Sequence, residues 1–474
     1  KMALTKATNS MITGAQINIK DFESLSSGGT DWQPAIQAAI DSLDTGGDTT
    51  TGGVIYFPVG RYYIKSPIVV RCSNAASLAS ITLQGEGIHN TVIDCADGFV
   101  GDQAIQALDP TYCAFKDFQV LGNNRTSYGL ELEGGAPLVA GSEIFVERVF
   151  CQNFTASCFY VHRCFMITMT QCRSKGGVTG FDFSGDYNTS LNVSNCYALN
   201  TNGAGQGYLI DNVAYSNFTA CGADNTGRYG YRVRNTIGVT FDNCGAEQPA
   251  RSAWYFEASA ALDSGKFING VRCNLNGCVS VGADADNGYG SIYSNQVDTS
   301  SINVEINRFD EFSVDNSISV ANTGVDTDHK ISLNGCKFTQ AIISTVAVVD
   351  PIDVTRVNNL PVTGANTPVI DLSSIFGSSN NYSGILNILA TNGVPTSGSP
   401  YNSAAYVLLV TKSTGGSGIV EIAKNGLTTG GGGSHPSFTW TLDTTNNELE
   451  ATPVGSTSGN FYFYIGQLGS LSAS

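Results

Sequence analysis

Asp224 and Glu247 lie 23 positions apart at equivalent places in two similar loops. The loops read Gly222-Ala223-Asp224-Asn225-Thr226-Gly227-Arg228-Tyr229 and Gly245-Ala246-Glu247-Gln248-Pro249-Ala250-Arg251-Ser252. Each acid stands three residues after a cysteine, Cys221 or Cys244, and Arg228 and Arg251 each stand seven after. If the loops stack, the two carboxylates lie roughly 5 Å apart. Like charges that close favour one protonated and one ionised group. That division suits a proton donor and a partner carboxylate in glycoside cleavage. Glutamate has the higher reference pKa, so Glu247 is the expected acid and Asp224 its partner. Arg228, Arg251 and Tyr229 are the expected substrate-binding residues, with Tyr229 as an exposed platform for a sugar ring. The plain alternative is a solvated turn in which the two acids pair with the two arginines.

Other acids sit near this pair. Asp182 and Asp186 flank Phe183-Ser184-Gly185 and are expected to extend a binding groove or to supply an acid. Asp211, Arg234 and Glu257 fall in one column and read as a surface ion-pair ladder, worth little individually. His162, beside Arg163 and Cys164, reads as structural. Asp284-Ala285-Asp286-Asn287-Gly288 has only part of a calcium-loop pattern. There is no Ser-His-Asp arrangement, no phosphate-cradling glycine loop and no metal-ligand spacing, so neither cofactor nor metal is expected.

The elements that must position these residues are legible in a repeat. Cys151, Cys172, Cys196, Cys221 and Cys244 recur at intervals of 21, 24, 25 and 23 residues. A second phrase follows the last four: Gly180-Phe181-Asp182-Phe183, Gly207-Tyr208-Leu209-Ile210, Gly230-Tyr231-Arg232-Val233 and Ala253-Trp254-Tyr255-Phe256. A fixed period of this length marks a stacked repeat. Each period holds two short strands and no stretch long enough for a helix, which describes one coil of a β-solenoid. Tyr208, Tyr231 and Trp254 share one column, expected to stack in the core.

Composition narrows the partners. The chain has 474 residues, 14% charged, 54 glycines and a net charge of −16. This balance argues against nucleic acid, which demands clustered Lys and Arg, and against anionic membrane surfaces. No apolar run is long enough to span a bilayer. Most of the 13 cysteines lie in apolar strand phrases and read as a reduced internal stack. Lys1 precedes Met2, which reads either as a residue left over from cloning or as the cut end of a longer protein.

The N-terminal motifs carry a resemblance. They are Ile19-Lys20-Asp21-Phe22, Asp31 before Ile36-Gln37-Ala38-Ala39-Ile40-Asp41, Gly53-Val54-Ile55-Tyr56-Phe57-Pro58-Val59-Gly60-Arg61-Tyr62, and Gln84-Gly85-Glu86-Gly87. Together they resemble the start of the pectate-lyase-like right-handed parallel β-helix found in bacteriophage tailspikes. A helix over residues 30–43, capped by Thr30 or Asp31 and ended by Gly46-Gly47, is expected to cover the first coil. Beyond residue 366, alternating strands such as 405–410, 418–423, 437–442 and 460–465 read as a β-sandwich. The expected organisation of this all-β chain is a lead-in and cap over 1–50, a β-helix over 51–345, a linker over 346–366 and the sandwich over 367–474.

The resemblance implies a homotrimeric tailspike of the virion tail, acting at the host cell surface. It would bind a bacterial surface polysaccharide, capsule or O-antigen, and hydrolyse it, while a preceding N-terminal region joined other tail proteins. Two alternatives stay open. One is a polysaccharide lyase using Arg228, Arg232, Arg251 or Tyr229, and the other a glycan-binding adhesin without catalysis.

Overall fold

The computed structural model describes residues 16–43, 52–71, 73–74, 77–78, 80–135, 141–199, 201, 203, 205–259, 265–266, 268–283, 291–297, 301–312, 318–322, 329–334, 336, 342–344, 348–349, 355–362, 367–371, 382–392, 402–413, 416–428, 438–443, 448–454 and 459–470. The N-terminal lead-in, Gly46-Gly47 and the Asp284–Asn287 segment lie outside them.

From Ile17 to Val349 the strands form a parallel β-solenoid of the right-handed β-helix type, with three columns of strands. In the first column Ile55, Leu83, Phe115, Val146, Met169, Val193, Phe218, Phe241, Leu275, Ile306 and Leu333 stand in register. In the second, Tyr62, Ile93, Val120, Cys151, Ser174, Ala198, Ala223 and Ala246 do so. In the third, Ile68, Ile105, Leu130, Phe159, Phe181, Tyr208, Tyr231, Trp254 and Ile292 line up. Alternate side chains point inward, and the apolar ladder residues from Ile55 to Ile306 form one continuous core.

The expected aromatic column is present. Phe159, Phe181, Tyr208, Tyr231 and Trp254 stack with centroid spacings of 4.8, 4.9, 4.7 and 4.8 Å. The spacing is the strand separation itself. The Tyr208 and Tyr231 hydroxyls donate to the Cys196 and Cys221 carbonyls, each at 2.8 Å.

The cysteine repeat marks the corner between the first and second columns, with one correction. Cys172, Cys196, Cys221, Cys244 and Cys278 each donate a thiol hydrogen back to a carbonyl of the preceding coil. Cys151 is not in this file. It pairs in register with Ser174, and the coil's equivalent of Cys172 is Val149. The short first interval of 21 is that two-residue offset. A second correction concerns redox state, because Cys113 is disulfide-bonded whereas the corner cysteines are free.

The residue before each corner cysteine is left-handed. Gln171, Asn195, Ala220, Asn243 and Gly277 have φ of 54°, 52°, 51°, 51° and 61°. This bend lets N–H groups continue bonding to the next coil, as from Asn195 to the Thr219 carbonyl and from Ala220 to the Asp242 carbonyl. An L-residue with a Cβ pays roughly 1–2 kcal/mol there, and Asn less. Ala220→Asn is therefore expected to raise stability by about 0.5–1 kcal/mol, read as a slower unfolding rate and a higher Tm. Gly85 shows the other use of glycine: a Cβ there would lie 2.3 Å from the Asp117 carbonyl oxygen. The Gln84-Gly85-Glu86-Gly87 motif thus lets two coils approach.

The helix spans Gln33–Asp41, with Pro34 in its first turn and no side-chain cap at Trp32. Asp31 instead accepts from the Gln33 and Lys65 N–H groups, tying the helix entry to the first coil. Gln37 exchanges two hydrogen bonds with the Val69 backbone. The helix so covers the edge strand that would otherwise invite pairing. Trp32 packs edge-on to Tyr62 at 5.1 Å.

At the C-terminus Thr355–Val362, Gly459–Ser470, Tyr382–Asn392, Asn402–Ser413 and Gly416–Thr428 make a five-stranded antiparallel sheet. Thr367–Asp371, Glu448–Pro453 and Phe438–Asp443 make a three-stranded one. Residues 355–362 are an edge strand and not linker. Pro361 is tolerated there because an edge strand can leave one N–H side unpaired.

Candidate functional site

Two constellations stand on the outside of the solenoid. The first is the pair singled out by the repeat. Asp224 and Glu247 are register partners on adjacent strands, Gly222–Asp224 and Gly245–Glu247. Asp224 is held by the Tyr197 hydroxyl at 3.1 Å and by Asn225 Nδ2 at 2.8 Å. Glu247 is exposed. Neither acid forms an ion pair with Arg228 or Arg251 among the described residues. Arg251 lies 3.5 Å from the Tyr229 hydroxyl. Tyr229 opens the strand Tyr229–Asp242 instead of sitting on the turn. It is 5% exposed and stacks on Tyr255 at 4.5 Å, so its ring offers no open platform.

The second constellation lies on the outer face of the third column. Aligning the core residues Leu130, Phe159, Phe181, Tyr208, Tyr231 and Trp254 puts Glu131, Tyr160, Asp182, Leu209, Arg232 and Tyr255 in one outward file. Two residues further along each strand come Glu133, His162, Asp211 and Arg234. This face is unusually covered. Ile268 is 8% exposed and its N–H donates to Asn212 Oδ1. Lys266 Nζ reaches the Gly185 carbonyl at 2.7 Å and Asp211 at 3.3 Å.

The covering divides two carboxylates on neighbouring coils. Asp182 accepts from the Ser157 hydroxyl at 2.9 Å, and its Oδ1 is buried without a hydrogen-bond partner. Burial pushes its carboxyl above the usual range, against the hydroxyls of Ser184 and Ser157 and the charge of Arg234, which pull it down. Asp211 is equally buried but has three partners: Arg234 Nε at 3.1 Å, Lys266 at 3.3 Å and Asn235 Nδ2 at 2.7 Å. The expected surface ladder of Asp211, Arg234 and Glu257 is therefore corrected. Asp211 is 2% exposed, and Glu257 pairs with Arg232 at 2.6 Å rather than with Arg234. Asp186 is exposed on the turn beyond and meets Arg163 Nε at 3.3 Å.

Glu131 and His162 extend the patch. His162 Nε2 lies 3.2 Å from Glu131 Oε1, and the His162 ring stacks on Tyr160 at 4.5 Å. Tyr160 also stacks on Tyr128 at 4.8 Å, and burial raises its phenol pKa. Glu131, Glu133 and His162 bring one ligand atom each within 4.8 Å of one another, a set that a divalent ion could bridge. Gln106 and Arg163 already engage Glu133, each at 3.2 Å. The sequence singles out Asp182, but Glu131, Tyr160 and Asp211 emerge as candidates only in the structure. The signal was available: Tyr128-Gly129-Leu130-Glu131 repeats the Gly180-Phe181-Asp182 phrase.

Comparison with known proteins places the fold in context. Residues 16–128 match the family model described as rhamnogalacturonase A/epimerase, pectate lyase-like. The chain is 29% identical over 230 residues to mannuronan C5-epimerase AlgE1 of Azotobacter vinelandii, covering 48% of this chain and 15% of that protein. It is 33% identical over 84 residues to alginate lyase 7 of the same organism, covering 18% and 9%. The chain thus spans a small part of these relatives' length. Among solved structures, the Acinetobacter phage vB_ApiP_P1 tailspike protein aligns with 96% of this chain and 87% of its own, at 14% identity and a TM-score of 0.36.

Proposed function

We propose that the protein is a tailspike-type depolymerase that hydrolyses a bacterial surface polysaccharide, with Asp182 as proton donor and Asp211 as the carboxylate that activates water. The observation that carries this is the contrast between the two acids: one buried with an orphan oxygen, the other held by two cations. Burial of Asp182 favours its protonated form, which a proton donor needs. The acids sit one coil and two residues apart, roughly 8 Å between Cα atoms. The N-terminal motifs and the matched family, whose description names carbohydrate-active enzymes, support the substrate class.

Proton abstraction is the second reading, favoured by Tyr160 lying on His162 next to Glu131. A tyrosine base beside a sugar carboxylate would give elimination, as the name of the alginate lyase relative suggests. Asp224 and Glu247 stay in play as an alternative hydrolytic pair, favoured by their register.

The test is mass spectrometry of capsules and O-antigens from a host panel after incubation with the protein. Oligosaccharides with one added water per cut support hydrolysis. Fragments lacking that water, with an absorbing double bond, overturn it in favour of elimination. A polymer bound but never shortened leaves an adhesin. Glu247→Gln is expected to change the cleavage rate by less than about threefold; a loss of a hundredfold or more would move the chemistry to the Asp224–Glu247 pair.

A further inference from the structure

The outer face of the second column carries groups that the acid patch does not use. Arg173 and Lys175 project from the short strand Arg173–Lys175. Arg61, Arg125, Arg148, Arg163, Arg232 and Arg234 each hold an acid. Arg173 is exposed and has no ion-pair partner among the described residues.

Arg173 lines a cavity of about 400 Å³ together with Asp117, Arg148, Gln171 and Asn195. Arg148 is committed to Asp117, at 2.6 and 3.1 Å, which leaves Arg173 as the open charge beside two exposed amides. One coil on, Tyr197 is the register partner of Arg173. Its ring is 38% exposed and packs on Gly222, where a Cβ would stand 2.5 Å from a ring carbon. Its hydroxyl donates to Asp224 at 3.1 Å, which fixes the ring's position. An exposed, anchored ring offers an apolar face to a pyranose, and a guanidinium forks onto a carboxylate in a way that an ammonium does not. Convergent polar groups around an apolar contact are what a small-ligand site requires.

We propose that Arg173, Tyr197 and the adjoining cavity form a glycan subsite for a uronic acid unit, distinct from the Asp182/Asp211 patch. The inference rests on the polysaccharide reading and narrows its substrate to an acidic polymer. Asp224 is a positioning residue here, acting through the Tyr197 hydroxyl.

Calorimetric titration of the full chain with oligogalacturonate, oligomannuronate and neutral maltohexaose tests it. At least one uronate oligomer is expected to bind and maltohexaose is not. Arg173→Met should weaken uronate binding roughly tenfold to a hundredfold, Arg173→Lys should restore part of it, and Tyr197→Ala should weaken it about tenfold. Tm should stay unchanged in both Arg173 variants, because that side chain is exposed, and fall slightly in Tyr197→Ala, which loses the packing on Gly222 and the bond to Asp224. Absence of uronate binding, equal binding of maltohexaose, or uronate binding that neither substitution weakens would overturn the subsite. The two assignments fail separately. Cleavage untouched by Asp182→Asn with Arg173-dependent binding intact removes only the catalytic reading. Cleavage abolished by Asp182→Asn with Arg173-independent binding removes only the subsite.

Discussion

Asp182→Asn is expected to lower the rate of polymer cleavage by about 10²- to 10⁴-fold, the range over which a positioned general acid contributes. The amide keeps the side chain's shape and can still accept from Ser157, so glycan binding should survive. The same change has a second, opposite effect on stability. Burial raises the Asp182 pKa in the folded protein, so the folded state holds this proton more tightly than the unfolded chain. Stability linked to Asp182 is therefore full below the unfolded carboxyl pKa of about 4. It is lost as pH rises through the folded value, where a buried carboxylate must ionise. The amide of the variant does not ionise and has no such loss. The variant should unfold at a higher temperature than wild type at pH 7, and the gap should close near pH 4. Cleavage surviving in the variant would remove Asp182 as the acid. A variant less stable at pH 7 would remove the linkage argument. An active site that is costly to fold is an expected trade of stability for function.

Trp254→Ala carries the largest expected stability effect, about 3–5 kcal/mol, the cost of emptying a fully buried aromatic site. Trp254 is 0% exposed, lies 4.8 Å from Tyr231 and meets Phe309 edge-on at 5.5 Å. The coils above and below are fixed by register, so they cannot collapse into the space. Trp254→Phe makes a sharper test. The indole Nε1 is buried without a hydrogen-bond partner, an arrangement that costs roughly 1–3 kcal/mol. Phenylalanine removes that donor while keeping the stack, so its net cost should stay under about 1.5 kcal/mol. Denaturant unfolding, with unfolding rates measured alongside the midpoints, would separate the two. Equal losses for Ala and Phe would show that the ring stack is not what holds this column. In a solenoid the strands of each coil pair only with those of its neighbours, so the Ala defect should lower cooperativity as well as the midpoint.

The sequence alone determined the solenoid and its core column. Apolar residues at a fixed period must face inward, and Tyr208, Tyr231 and Trp254 could stack only if successive coils were in register. The Asp224–Glu247 register followed by the same logic, because one loop repeats the other position for position. The C-terminal strands were legible from alternation, whereas residues 355–362 were not, since Pro361 disguised an edge strand as a linker.

Burial of outward-facing residues was decided only by the tertiary structure. A repeat tells which side of a strand a residue is on, but not what lies over it. Lys266 and Ile268, two coils beyond Asp211, fold back across the third column. Lys266 pairs with Asp211, and Asp182 and Asp211 are both buried, in opposite surroundings. Glu247 stays in solvent and Tyr197 exposed, while Tyr229 is covered by its stack on Tyr255. The physical reason is range: periodicity is a property of neighbouring coils, and desolvation depends on which distant segment displaces the water.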